Sequence, residues 1–158
     1  MRKISDLLDV NDEIILISIR EEYFDAIISG IKKYEYRKNY RKVPTKAFIY
    51  ISKTKKSIVA LVEFGKPIFG SVEEICEISE SENPGSYDDM TQYLNSGKGV
   101  AIPVEKVHEF TPISLIEMKS RVEKFTVPQS YYMLDNKREV LNILKDKEVI
   151  NTLNIEKC

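Results

Sequence analysis

The sequence predicts an α+β domain: a small, highly bent or partly open β-barrel of five to six strands with short flanking helices. Three observations lead there. Apolar or alternating runs of strand length, at residues 13–18, 33–37, 47–52, 57–64 and 99–110, outnumber the helical stretches. The helical stretches are short and do not alternate with the strands, which argues against a parallel, doubly wound sheet. At 158 residues, 42% hydrophobic and 31% charged, the chain has the size and mixture of one globular domain.

Residues 1–12 read as a short amphipathic lead-in and residues 13–18 as a buried strand. Tyr23, Phe24, Ile27 and Ile28 then fall at helical spacing, and Gly30 follows as a natural stop. Residues 33–37 alternate and carry aromatic strand formers. Pro44 and Thr45 break the pattern before the strand at 47–52. The polar connection 53–56 leads into a strong strand, 57–64, that ends near Gly65. Residues 67–78 read as further strand with an irregularity at Gly70, and residues 80–86 as loop. Residues 87–95 fit a short helix closed at 96–97. Residues 99–110 are mostly strand, with Pro103 marking an edge or bulge. Ser114 offers a helix cap with Glu117 three residues on. Residues 136–146 make a terminal helix with Val140, Leu141 and Leu144 inward, and the last dozen residues are expected to be poorly ordered. This divides the chain into a lead-in (1–12), a domain (13–135) and a C-terminal helix and tail (136–158).

Composition excludes several functions. No apolar run approaches the roughly 18 residues of a membrane span, and the start lacks a signal peptide's apolar stretch, so a cytoplasmic location is expected. Cys76 and Cys158 fit neither a metal spacing nor a disulfide framework. Cys76 reads as a buried thiol in the alternating run 75–78, and Cys158 as an exposed thiol without a role. His108 is alone and reads as structural. Neither a metal nor a cofactor is expected.

Net charge is −1, yet residues 32–56 hold Lys32, Lys33, Arg37, Lys38, Arg41, Lys42, Lys46, Lys53, Lys55 and Lys56 against one acid, Glu35. That segment is +9 and the remainder, with 14 basic and 24 acidic residues, is −10. A concentrated positive field favours an anionic partner. Within it, Lys32 follows the helix stop, and Glu35 and Arg37 share one strand face because strand side chains repeat every two residues. Lys and Arg at such a corner suit a phosphate or carboxylate, and Glu35 suits a base amino group. Tyr34, Tyr36, Tyr40, Phe48 and Tyr50 interleave with the cations, as they would where unpaired bases stack. Tyr34 and Tyr36 read equally as core or cleft. Tyr40, in a loop, reads as exposed, and Tyr131 and Tyr132 as sealing the barrel.

The pattern Gly30-x-Lys32-x-x-Glu35-x-Arg37, preceded by residues 18–23 and followed by 48–53, a basic turn, 58–64 and Gly70, resembles the ASCH family. The resemblance covers about residues 13–78, and Pro128-Gln-Ser-Tyr-Tyr132 resembles a segment of longer members. It implies a PUA-like barrel, related to the RNA module of pseudouridine synthases and to the methyladenosine-reading YTH module. It also implies a cleft beside this corner and a role with RNA or modified nucleosides. Some small members deacetylate N4-acetylcytidine with a Lys, a Thr and a separate Glu; others have been proposed as ribonucleases. The Lys matches Lys32, but the Thr position holds Glu35, and a carboxylate does not replace a hydroxyl nucleophile without a change of chemistry. The third acid is left among Glu80, Glu82, Asp88 and Asp89.

The expected function is therefore binding of RNA or a nucleotide through Arg20, Lys32, Lys33, Glu35, Arg37, Lys38, Tyr40, Arg41, Ser52 and Lys53. Lys32 and Glu35 are the candidate catalytic pair if the protein is instead a hydrolase on a modified nucleoside or a ribonuclease. A third reading is an adaptor whose basic block meets an acidic protein. A deep cleft at Lys32 would favour the nucleotide, a flat basic surface the adaptor.

Overall fold

The computed structural model describes residues 2–95 and 97–155; Cys158 lies outside them. Four apolar runs form the centre of one mixed sheet: β1 (Ile14–Arg20), β3 (Thr45–Ser52), β4 (Ser57–Phe64) and β6 (Lys98–Ser114). Most residues of β3 and β4 are buried on both faces, which is why these runs are nearly continuously apolar. The strand order is β2-β6-β4-β3-β1-β7, where β2 is Tyr34–Arg37 and β7 is Tyr131–Met133; β5 (Ile68–Ser71) and β8 (Val149–Asn154) also pair with β6. β1 and β3 run parallel, with the helix α1 (Glu21–Ile28) in the crossover; the other pairs are antiparallel.

β6 is 17 residues long because it serves two sets of neighbours. Ala101 sits between Tyr36 of β2 and Ile68 of β5, whereas His108 sits between Leu61 of β4 and Thr152 of β8. Pro103, at the handover, pairs with Tyr34 and accepts a hydrogen bond from the Gly65 N–H at 2.8 Å. The β4–β6 register shifts beside it, at Glu63/Phe64, as a proline without a donor requires. Strand alternation divides the core. Ile15, Ile17 and Ile19 join Ile49, Val62, Phe64 and Ile102 beneath Phe24 and Ile27 of α1. Leu16, Phe48, Leu61 and Phe110 face the other way, under α4 (Leu115–Arg121), α5 (Arg138–Lys145) and the lead-in's Ile4. A third, small cluster of Tyr36, Ile75, Leu94 and Ala101 seats the helices α2 (Val72–Glu82) and α3 (Tyr87–Leu94).

Several expectations change. Residues 67–78 are not one strand: β5 ends at Ser71, whose hydroxyl accepts from the Glu74 N–H at 3.2 Å while the Glu74 carboxylate accepts from the Ser71 N–H at 2.9 Å. That reciprocal cap starts α2. Cys76 is buried as expected, but on this helix, with Thr91 Oγ1 3.3 Å from its sulfur. The C-terminal residues 149–154 are a strand, tied to the lead-in by the Val149 N–H on the Arg2 carbonyl at 2.9 Å. His108 is buried between Thr152 (Nδ1, 2.9 Å) and Glu63 (Nε2, 2.6 Å), as a structural histidine would be. Because the Ser71 hydroxyl holds one half of this cap, Ser71→Ala is expected to cost about 1 kcal/mol, read by thermal unfolding. An unchanged melting temperature would show the cap to be idle.

Candidate nucleic-acid cleft at the open seam

β2 pairs with β6 on one edge and, among the described residues, with no strand on the other, so the sheet is an open half-barrel with a seam between β2 and the β1–β7 edge. Gly30, at φ +81°, ends α1 in the left-handed conformation that glycine adopts without a Cβ clash. The Lys32 N–H reaches back to the Ala26 carbonyl at 3.0 Å, turning the chain into β2 at the seam.

Arg37 stitches the two edges. Its Nη2 donates to the Ser18 carbonyl of β1 at 2.9 Å, its Nη1 to Ser130 Oγ at 3.2 Å, and its Nε to Glu35 Oε2 at 2.9 Å. Glu35 is 7% exposed and its other oxygen lies 3.5 Å from Lys32 Nζ. The Lys32 ammonium also sits 4.8 Å from the Tyr36 ring centroid and 5.7 Å from that of Tyr23. Across from this corner, Glu82 at the end of α2 accepts from the Lys33 N–H and from the Tyr36 hydroxyl. Burial, and then the Glu82 carboxylate, hold the Tyr36 phenol neutral far above its usual range. The Tyr93 hydroxyl of α3 donates to the Tyr36 carbonyl at 3.3 Å, and burial holds its phenol above the usual range as well.

Between these walls lies a cavity of about 490 Å³. The barrel side supplies Ser18, Arg20, Tyr23, Lys32, Glu35, Tyr36 and Arg37; the helical side supplies Ser79, Glu82, Asn83, Ser86, Asp89, Met90 and Tyr93. The ASCH domain model matches residues 17–157. The chain belongs to the ASCH domain family. The crystal structure of ASCH from Zymomonas mobilis is similar, with a TM-score of 0.73 and 22% identity over 88% of this chain and 99% of that one. A serine-to-alanine mutant of that protein gives 0.71 and 23%, over 87% and 99%. No curated protein matches. The shared fold is PUA-like, and the match extends well past the motif, through β6 and the C-terminal elements.

Of the residues expected at the ASCH site, Arg20, Lys32, Glu35 and Arg37 line the cavity. Lys33 is held by its backbone and lines a neighbouring groove. Lys38 is exposed, its ammonium 5.5 Å from the Tyr93 ring centroid. Ser52 pairs in register with Arg20, and Lys53 occupies the exposed turn after it at φ +69°. Tyr40 is a correction: it is 8% exposed, packed on Phe64 and Tyr131, with its hydroxyl on Thr45. Arg41 is exposed and off the cavity lining, its guanidinium on the Glu13 carboxylate at 2.7 and 3.0 Å. Lys46 pairs with Asp12 at 2.7 Å and Lys55 with Glu21 at 3.6 Å. The +9 segment is therefore partly neutralised by acids outside it.

Tyr23, Asn83, Ser86, Met90 and Tyr93 line the cavity and were absent from the expected site. Of the four candidate acids, Glu82 and Asp89 are there. The signal that would have located this wall is the Ser71-x-x-Glu74 cap, which turns residues 72–82 into a helix. Among the described residues no cluster of three His, Cys, Asp or Glu is placed to hold a metal, and no helix is long and apolar enough to cross a membrane.

Proposed function

We propose that this ASCH domain binds single-stranded RNA, or a nucleotide of it, with one base in the seam cavity and phosphates at its mouth. The observation that carries this is the concave, half-open cavity at the Lys32–Glu35–Arg37 corner; an adaptor would want a flat basic surface instead. Its volume falls in the range of small-ligand sites. Its lining balances Arg20, Lys32 and Arg37 against Glu35, Glu82 and Asp89, which suits an uncharged base with donors and acceptors better than a polyphosphate. Tyr23 and Tyr93, 51% and 45% exposed, offer ring faces for stacking.

Arg20 and Lys32 in the lining, and Lys38 over the Tyr93 ring, are the cations we assign to phosphate, since Arg37 is largely spent on the seam. About three phosphate contacts give a slope of log affinity against log salt near −2. Filter binding of oligo-uridylate at several salt concentrations measures it. No binding at low salt would remove the nucleic-acid reading.

Binding is favoured over hydrolysis because the serine hydroxyls of the cavity are already engaged. Ser79 pairs with Ser86 at 2.7 Å, and Ser18 donates to the Pro128 carbonyl at 2.6 Å. None of these bonds involves a group that could deprotonate a nucleophile. N4-Acetylcytidine incubated with the protein is expected to release no acetate. Release that Lys32→Ala abolishes would establish the hydrolase, with Lys32 and Glu35 in its centre.

A further inference from the structure

A second groove, of about 670 Å³, lies on the far side of the Lys33–Glu82 contact and points to a protein partner. Its apolar surface comes from Ile31, Ile68, Phe69 and Ile78; Ile31 is 68% exposed and Phe69 46%. Ile68 and Phe69 lie on the short surface strand β5, where both are exposed. Its rim is acidic: Glu74 and Glu77 line it, and α2 as a whole carries five glutamates and no cation. Lys33 is the one cation in the lining.

We infer that this groove docks a basic segment of a partner protein, anchored by bulky aliphatic or aromatic side chains. Two properties select that occupant. The acidic rim repels nucleic acid, so RNA held in the seam cavity does not continue here, and attracts lysine and arginine. The apolar floor needs a large hydrophobic anchor to displace its water, as interface centres do. The groove shares Ile31 and Glu82 with the seam cavity, but the inference rests on Ile68, Phe69 and Glu77, which do not line that cavity, and so stands apart from the RNA reading.

The probe is a fluorescein-labelled peptide of alternating lysine and leucine, with a glutamate-for-lysine counterpart as control, titrated with the full chain. The lysine peptide is expected to bind, more weakly as salt rises, and the glutamate peptide not to bind. Phe69→Ser is expected to weaken binding about tenfold, as loss of a central aromatic does. Glu77→Lys should weaken it several-fold by reversing the rim charge, and Lys32→Ala should leave it unchanged. Glu77 is exposed and mid-helix, so its variant tests the groove even if Phe69→Ser lowers stability. Equal binding by wild type and both groove variants overturns the inference. So does displacement of the peptide by oligo-uridylate, or a concentration-dependent dimer, seen by analytical ultracentrifugation, that Phe69→Ser dissolves.

Discussion

Arg37→Ala is expected to destabilise the protein by about 3–5 kcal/mol and to abolish RNA binding with it. The guanidinium bonds to β2, to the β1 backbone and to the segment before β7 at once, through Glu35, the Ser18 carbonyl and Ser130. Among the described residues no strand pairing crosses this seam, so no backbone ladder replaces it. Removing the side chain leaves Glu35, 7% exposed, with a lysine at 3.5 Å as its remaining partner, and leaves the Ser18 carbonyl without this donor. A buried carboxylate stripped of its closest partner, whose Nε and Nη2 both meet Oε2, bears the desolvation cost that the pair had offset. Arg37→Lys keeps the charge but not the fork, so its loss should fall between wild type and Ala. Urea unfolding of the three proteins gives the values. A loss below about 1 kcal/mol for Arg37→Ala would mean that water replaces the guanidinium and that the seam is not held by it.

The seam also marks where the sequence stops being readable. β1, α1, β2, β3 and β4 lie close to their expected positions because each is bounded locally, by Gly30, Pro44 or Gly65, and has one clear period. The corner itself was legible for the same reason: period two put Glu35 and Arg37 on one face, and the helix stop put Lys32 beside them. Residues 72–78 were ambiguous, since Val72, Ile75, Cys76 and Ile78 fit both a loose strand and a helix, and only the Ser71–Glu74 cap decides. Tyr40 was misplaced because its burial depends on Phe64 and Tyr131, which no local pattern brings to it. The field of the basic block was overestimated for a topological reason. The parallel register Ile14↔Lys46 sets the acids Asp12 and Glu13 beside Lys46 and Arg41. Composition counts those charges as separate, and only the fold makes them neighbours.

Lys32→Met should do the reverse of Arg37→Ala: keep the fold and lose the ligand. The Lys32 ammonium has Glu35 at 3.5 Å and two tyrosine rings around it, and its side chain is 16% exposed. Glu35 keeps its closer partner, Arg37 at 2.8 Å, when the ammonium is gone, so no buried charge is orphaned. The methionine stem still packs against the rings, and the stability change should stay below about 1 kcal/mol. Binding is another matter. A charge-assisted hydrogen bond in a partly desolvated cleft contributes roughly 1.5–3 kcal/mol, on the order of ten- to a hundred-fold in affinity. Lys55 and Lys56 carry the same charge in an exposed turn, where water and salt screen it, so Lys55→Ala and Lys56→Ala should change affinity less than about threefold. Glu35→Gln completes the set. It keeps the shape but weakens the hold on both cations, so RNA binding should fall several-fold if Glu35 orients Lys32 towards the ligand. Fluorescence anisotropy with a short labelled RNA compares all four. Equal losses at Lys32, Lys55 and Lys56, with tighter binding by Glu35→Gln, would mean that RNA feels only a diffuse field and that the cavity is not where it sits.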